Sequence, residues 1–368
     1  MLEFEQKVFE PEISLKEKFL LIADIGGTKT RFALASVQKK KPRLILSLIV
    51  KSSSVKNFED VINRVLRYLK NKYDTTVTQA CFAAAGKVST DRKFVEITNL
   101  KINLDAKKIV QKTTLKSVII LNDFEAAAYG LESLGKKDFL CLNCSVAKSA
   151  KKGTKVIIGA GTGLGQSFLM WQEHEKRYIP HPSEGGHADF AVQNQEELDL
   201  INFVRKDNKP SPRLRPTRKQ NTQVCVEWED LLSGNGISKI YKFLEKRADY
   251  KISRETLKIK KGKYSPVLIS KYKNSDELAK KTFEVFARFY ARYAKSFALQ
   301  ALATGGIYFV GSIAVENLEM FKHDFFLNEF VNSYKMSLFL KSIPIFVVTD
   351  ANVGLYGAAV YAKLMFNR

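Results

Sequence analysis

Phe19-Leu-Leu-Ile-Ala-Asp24-Ile-Gly26-Gly27-Thr28-Lys29-Thr30-Arg31-Phe-Ala-Leu-Ala-Ser-Val37 is the stretch on which the fold turns. Phe19 to Asp24 and Arg31 to Val37 are apolar runs of strand length, and the glycine pair between them makes a hairpin turn by allowing left-handed backbone and close approach. A phosphate loop of the Walker type would need different glycine spacing and a helix after it; here a strand follows. Leu44 to Val50 reads as a third strand. Phe58 to Lys70 reads as a helix from its apolar spacing (Phe58, Val61, Ile62, Val65, Leu66, Leu69), and Gln79 to Ala85 as a further strand ending at Gly86.

The second half repeats this opening. Lys155-Val-Ile-Ile-Gly159-Ala-Gly161-Thr162-Gly163-Leu-Gly165 is a strand entering a glycine turn, and Gln166 to Trp171 is a strand leaving it. A dinucleotide fold would place a helix there and space its glycines differently. Two such hairpins about 135 residues apart predict two related α/β domains facing each other across a cleft. Their turns present backbone N–H groups of the kind that bind phosphate oxygens.

Between the hairpins lies Val118-Ile-Ile-Leu121-Asn122-Asp123-Phe124-Glu125-Ala-Ala-Ala-Tyr129. Four apolar residues predict a buried strand, and the Glu/Ala-rich run from Phe124 to Leu131 predicts a helix. Ligands in open α/β sheets sit beyond the carboxyl ends of strands, so Asp123 stands where a strand hands a carboxylate to a ligand. A cap on the following helix is the competing role for Asn122 or Asp123.

His181-Pro-Ser-Glu184-Gly185-Gly186-His187-Ala-Asp189 reads as a loop. It could be a polar ligand cradle or a solvated turn; a metal site from His181, Glu184 and His187 lacks a helix to set its spacing and a fourth ligand. Glu196 to Val204 reads as a helix. The lysine-, arginine- and proline-rich segment 205–221 reads as a basic loop, and 249–264 as another lysine-rich connection. Glu227-Trp-Glu229-Asp230-Leu-Leu-Ser233-Gly234 is a carboxylate-rich helix end and glycine turn. Asp276 to Ala303 is a long helix whose stripe Phe283, Phe286, Phe289, Tyr290, Tyr293 and Phe297 predicts core packing. Thr304-Gly305-Gly306 leads into the strand Ile307 to Val310; a last strand ends at Val348 and a last helix follows Asp350.

At 368 residues there is sequence for about two domains of roughly 150 residues each. The net charge of +22 favours anionic partners, yet the basic residues are widely spread and no recognition motif accompanies them. Residues 1–17 read as a polar extension without the apolar core of a secretory signal. No apolar run reaches the ~18 residues that a spanning helix needs. Four cysteines do not make a disulfide framework, and Cys141-Leu-Asn-Cys144 is a lone CxxC, read as two buried or half-buried thiols. These features point to the cytoplasm.

Asp24-Ile-Gly-Gly-Thr28, Leu121-Asn-Asp-Phe124, Gly159-Ala-Gly-Thr-Gly-Leu-Gly165, Glu184-Gly-Gly-His187 and Leu232-Ser-Gly234 stand in the order and spacing of the bacterial glucokinases. Over residues 19–365 the chain resembles that family, of the actin-like sugar-kinase superfamily. The resemblance implies two actin-like (ribonuclease H-like) α/β domains with mixed sheets: 18–133 plus 349–368, and 134–348. It implies ATP-dependent phosphorylation of glucose at the 6-hydroxyl, Mg²⁺ arriving with ATP and no resident metal ligand. Asp123 resembles the family's catalytic base; Asn99, Asn122, Asp123, Glu184, His187 and Glu229 resemble its sugar-binding positions. Ala23, Asp24, Ile25, Gly26, Gly27 and Thr28, with Gly161, Thr162 and Gly163, resemble its phosphate hairpins, and Thr304-Gly305-Gly306 with the following strand resembles its adenosine motif. Gly311-Ser312 stands where the family usually has two glycines. The resemblance further implies a homodimer without a nucleic-acid or membrane partner. The alternatives are a kinase for fructose, mannose or an N-acetylhexosamine, or a non-enzymatic sugar-sensing regulator, although no helix-turn-helix pattern precedes the kinase-like region.

Overall fold

The computed structural model describes residues 4–10, 17–38, 41–97, 100, 102–147, 152–207, 225–247 and 250–366. Asn99 and most of the basic segment 205–221 lie outside them. The chain divides into two compact units: Met1–Phe139 with Ser167–Pro182 and Val348–Arg368, and Leu140–Gln166 with Ser183–Val347. The Ser167–Pro182 segment, which the sequence-based boundaries place in the second domain, groups with the first unit.

The first unit is built on a six-stranded sheet. Its strands are β1 (Glu5–Val8), β2 (Phe19–Ile25), β3 (Lys29–Ser36), β4 (Arg43–Lys51), β5 (Gln79–Ala84) and β8 (Ser117–Asn122), in the order β1-β4-β3-β2-β5-β8. β6 (Phe94–Glu96) and β7 (Asn103–Asp105) form a separate antiparallel pair. β2, β3 and β4 are antiparallel neighbours, whereas β2, β5 and β8 run parallel. Both faces of this sheet are covered, which is why its strands read as continuous apolar runs. Leu21, Ala23 and Ile25 join one buried cluster, with α1 (Phe58–Tyr73) and α2 (Ala106–Lys112). Leu20 and Ile22 join the other, with α3 (Asp123–Gly130) and the last helix of the chain, Val353–Phe366.

The N-terminal segment, read as a polar extension, contributes β1 to the edge of β4, with Glu5 opposite Ile49 and Val8 opposite Leu46. Every side chain of β1 is exposed, so no apolar alternation marked it in the sequence. Arg43 adds side-chain ties, at 2.6 Å to Glu10 and 2.7 Å to Glu17.

The second sheet comprises β9 (Phe139–Cys141), β10 (Lys155–Ala160), β11 (Leu164–Gln172), β12 (Arg177–Ser183), β13 (Gly306–Val310) and β14 (Ile345–Val348), in the order β12-β11-β10-β13-β14-β9. β10, β13 and β14 are parallel. With the edge strands β1 and β9 set aside, both sheets share one plan: third, second, first, fourth and fifth strand in turn. The repeat of the glycine hairpin in the sequence is thus part of a repeat of topology.

Helices of the second unit include α4 (Gln195–Asp207), α5 (Trp228–Leu231), α6 (Gly234–Lys246), α7 (Arg254–Lys261) and α8 (Glu277–Ala301); the C-terminal Val353–Phe366 is α9. The aromatic stripe of α8 is buried along its length, with the Tyr290 ring edge-on to Phe309 of β13 at 4.7 Å. Segment 249–264, read as a lysine-rich connection, contains α7. Ser253 caps it, and Thr256 and Ile259 are buried one turn apart while the lysines point outward. Among the described residues, no helix is long and apolar enough to cross a membrane.

Candidate active site

In the first unit, β8 delivers Asn122 and Asp123 at its carboxyl end. Asn122 is the helix cap: its Oδ1 accepts from the backbone N–H of Phe124 at 2.9 Å and of Glu125 at 3.1 Å, and its Nδ2 donates to the Gly86 carbonyl at 3.2 Å. Asp123 is the first helical residue and half-buried. Two residues on, Glu125 is buried and receives both terminal nitrogens of Arg92, at 2.5 and 2.8 Å. That bidentate pair fixes the first turn of α3, and the carboxylate suits the positive end of the helix dipole.

The Gly26–Lys29 turn joins β2 to β3, closed by the Gly26 N–H on the Lys29 carbonyl at 3.1 Å. Ser52 braces it, donating its hydroxyl to the Gly26 carbonyl at 2.6 Å and its N–H to the Thr28 carbonyl at 3.0 Å. Asp24, near the carboxyl end of β2, is paired with Arg31, which also donates to the Ala351 carbonyl at 2.7 Å. Gly354, in the first turn of α9, brings that helix against the same carboxylate: a Cβ there would stand 3.4 Å from Asp24 Oδ2. Ala23 and Ile25 do not share this exposure. Both side chains are buried, and Ala23 is paired to β3 and β5 on its two sides, so it supports the turn from within the sheet.

In the second unit, the Gly161-Thr162-Gly163 turn joins β10 to β11. The Gly161 N–H donates to the Gly163 carbonyl at 2.8 Å, and the Gly234 N–H, at the start of α6, donates to the Gly161 carbonyl at 2.8 Å. A Cβ at Gly161 would meet nothing within 4 Å. Glu229 on α5 leans against this turn: its Oε2 accepts the Leu164 N–H at 2.8 Å, and a Cβ at Gly163 would lie 2.4 Å from that oxygen.

Glu184 precedes and His187 ends a 3₁₀ turn, Gly185–His187, that follows β12, so His181 to Ser183 are strand rather than loop. The turn is seated from beneath. Gly186 lies on Leu164, where a Cβ would stand 2.1 Å from the carbonyl oxygen, and Gly185 lies on the Gln166 amide. Gln166 is buried, donates to the Ser183 hydroxyl at 2.6 Å and accepts from the Tyr293 hydroxyl. His187 Nδ1 sits 2.7 Å from Glu227 Oε2. The Glu227 hydrogen bond and the charges of Glu229, Glu227 and Glu184 raise the imidazole above its ordinary range, against a desolvation cost that pulls the other way.

Glu184, His187 and Glu229 are therefore brought onto one braced surface together with the glycine turn. Gly305 and Gly306 are not. Gly306 opens β13 opposite Lys155, the first residue of β10, whereas the glycine turn follows the last. Gly305 is packed on the Gly153 carbonyl, where a Cβ would come within 2.2 Å. At the carboxyl end of β13 stand Gly311 and Ser312 instead. Gly311 has φ of +94°, and a Cβ on it would lie 3.0 Å from the Ala160 carbonyl at the end of β10. The rule that ligands gather at carboxyl ends of parallel strands points to this pair. Gln166 and Glu227 also escaped sequence reading; the only signal for Glu227 was its place two residues before Glu229. Among the described residues, no group of three His, Cys, Asp or Glu side chains is placed to hold a metal ion. Cys141 is half-buried and Cys144 exposed rather than sheltered; burial and the neighbouring Cys144 push the Cys141 thiol up to about 11.

The glucokinase family model matches residues 21–365. The chain belongs to the glucokinase family. A glucokinase of Trichormus variabilis is 32% identical over 360 residues, covering 93% of this chain and 98% of that protein. Among solved structures, the glucokinase of Balamuthia mandrillaris in complex with glucose superposes with a TM-score of 0.76 at 22% identity, covering 94% of this chain and 93% of that one. The glucokinase of an Antarctic psychrotroph gives 0.72 at 23% identity, covering 94% and 99%. The two mixed sheets of this glucokinase-family chain are those of the actin-like fold, and the chain is a kinase of the hexokinase and glucokinase type.

Proposed function

We propose that the chain phosphorylates the 6-hydroxyl of glucose with ATP, and that Asp123 is the general base. The observation that carries the second part is the division of labour at the end of β8. Asn122 carries the larger part of the cap, on Phe124 and Glu125, and the carboxylate of Asp123, whose Oδ1 shares the Phe124 N–H at 2.9 Å, stands just past the carboxyl end of the parallel edge strand β8. In phosphoryl transfer a carboxylate that accepts the proton of the attacking hydroxyl contributes about 10²–10⁴-fold, and positioning with charge neutralisation supplies most of the remainder.

Asn122, Glu184, His187 and Glu229 are assigned to the sugar hydroxyls. Fixed acceptors and a fixed donor suit such a ligand, because an analogue that leaves them unpaired is rejected strongly. The turns Gly26–Thr28 and Gly161–Gly163 are assigned to the phosphates, and Gly311 with Ser312 to the adenosine in place of Gly305 and Gly306. The residues present fit Mg²⁺ brought by the nucleotide: Asp24 is already partnered by the Arg31 guanidinium, which favours holding the ion through water over direct ligation. Bound there, Mg²⁺ would neutralise charge on the phosphates.

A coupled ADP-release assay across glucose, fructose, mannose and N-acetylglucosamine at equal concentration tests the reading. Glucose is expected to give the highest kcat/KM. Asp123→Asn is expected to lower kcat by ~10²–10⁴ with an unchanged melting curve. Full turnover in that variant would remove Asp123 from the base role, and preference for another hexose would change the substrate.

A further inference from the structure

Around His187 the side chains are of unequal kinds. Glu184, Glu227 and Glu229 are the charged groups that act on the ring. Ionised carboxylates only accept hydrogen bonds. Sugar hydroxyls that donate to Glu184 and Glu229 still carry oxygen lone pairs that need a donor. His187 is the member of this group able to supply one, and only through the nitrogen that Glu227 does not hold.

Glu227 is itself placed firmly. Its segment runs beside 188–190, with the Phe190 N–H on the Val226 carbonyl at 2.9 Å and the Trp228 N–H on the Ala188 carbonyl at 3.0 Å. Asp189 and Glu227 form the bridge between these two segments. The Glu227 N–H is capped by Asp230 Oδ2 at 3.1 Å, and Asp230 is neutralised by Lys239 at 2.6 Å. Asp230 is thereby committed to these partners. The carboxylate of Glu227 reaches Nδ1 of His187 at 2.7 Å.

We propose that Glu227 is a positioning residue that keeps His187 protonated and turned, so that Nε2–H donates to a hydroxyl oxygen of the hexose. The proposal rests on the assignment of His187 to the sugar. Two consequences separate it from a merely structural role. Sugar capture falls when the imidazolium loses its proton, whereas turnover of the saturated enzyme does not depend on that proton. The charge of Glu227 also sets the pH at which the loss occurs.

The test has two parts. The first is kcat/KM for glucose from pH 6 to 9 in the wild type, Glu227→Gln and Glu227→Ala, reading the alkaline limb, which reports ionisation in the free enzyme. In the wild type kcat/KM is expected to fall by about tenfold per pH unit above a midpoint higher than the usual histidine value, with kcat flat. Glu227→Gln keeps an acceptor for Nδ1–H and removes the charge. Its midpoint is expected to move down, giving severalfold lower kcat/KM on the alkaline side. Glu227→Ala removes orientation as well and is expected to lower kcat/KM at every pH.

The second part is NMR titration of the sugar-free protein. The chain has 4 histidines, and the His187 signal is identified by its loss in His187→Gln. Its midpoint is expected to drop in Glu227→Gln. Superimposable titrations and superimposable alkaline limbs in the wild type and Glu227→Gln would overturn the proposal. A protein that shows the titration shift but makes no ADP with glucose would overturn the functional assignment while leaving the Glu227–His187 relation intact.

Discussion

Asn122 caps the helix that Asp123 begins. The side chain of the first residue accepts the N–H groups of Phe124 and Glu125, and Asp123 Oδ1 shares that of Phe124, so the larger part of the capping falls to Asn122. Asn122→Ala is expected to cost about 1 kcal/mol of stability, the ordinary value for a lost cap. Asp123→Asn is expected to shift the denaturation midpoint far less. Urea melts of the two variants check this, and a larger loss at Asp123 than at Asn122 would reverse the division of duties.

Arg92 and Glu125 form a pair in which the carboxylate is buried and the guanidinium is about one-third exposed, at 3% and 31%. Arg92→Met strands the buried charge. Removing one partner of a buried pair costs about 3–5 kcal/mol, and the partial exposure of Arg92 places the expectation toward the lower figure. An unpaired buried carboxylate takes up a proton at higher pH than an exposed one, so the deficit is expected to narrow as pH falls. Arg92→Met with Glu125→Gln together is expected to recover most of the loss; equal melts for the single and double variants would show that charge is not the cause.

Gly311 and Gly305 offer a paired test of where the nucleotide sits. Gly311→Ala adds a methyl at a left-handed position close to Ala160 and is expected to raise KM for ATP severalfold while KM for glucose holds. Gly305→Ala drives a methyl into the Gly153 carbonyl, and overpacking of this kind costs about 1–3 kcal/mol. It is expected to lower the melting temperature and leave KM for ATP unchanged. The opposite pattern, with ATP binding lost at Gly305, would return the adenosine to the amino end of β13.

Gly357 and Gly130 hold α9 against α3. A Cβ at Gly357 would stand 1.6 Å from the Ala126 carbonyl oxygen, and one at Gly130 would stand 2.0 Å from that of Val353. Gly357→Ala is expected to destabilise the protein by at least the ~1–3 kcal/mol of ordinary overpacking, because the obstacle is backbone. Circular-dichroism melts check it, and a neutral effect would mean that the two helices separate easily.

Much of this was legible in the sequence for identifiable reasons. Strands buried on both faces, such as Phe19–Ile25 and Ser117–Asn122, leave an uninterrupted apolar run. The α8 stripe advertised its own core. What escaped detection escaped for physical reasons too. At the end of β8 an Asn and an Asp are equally good caps on paper, and only coordinates tell that both reach Phe124 while Asn122 also takes the Glu125 N–H. In Thr304-Gly-Gly306 and Gly311-Ser312, glycine signals a close approach without saying at which end of the strand, or to what. Thr256 and Ile259 supply too few apolar positions among the lysines of α7 to show a period. Glu227 looked like one more acid beside Glu229, because the His187 ring that gives it meaning lies 40 residues earlier in the chain.

β1 pairs with β4 in antiparallel register, and its four side chains are exposed, Gln6 accepting the Tyr68 hydroxyl at 2.5 Å. It therefore works as a guard rail. An uncovered β4 would offer a row of open amide and carbonyl groups along Arg43–Lys51, whose residues Leu44 to Leu48 are all buried, to any passing strand. Whoever trims the first ten residues to tidy an expression clone, or crowds them with a fused tag, removes this protection without touching the catalytic machinery. The enzyme that results would be judged by its precipitates rather than by its chemistry.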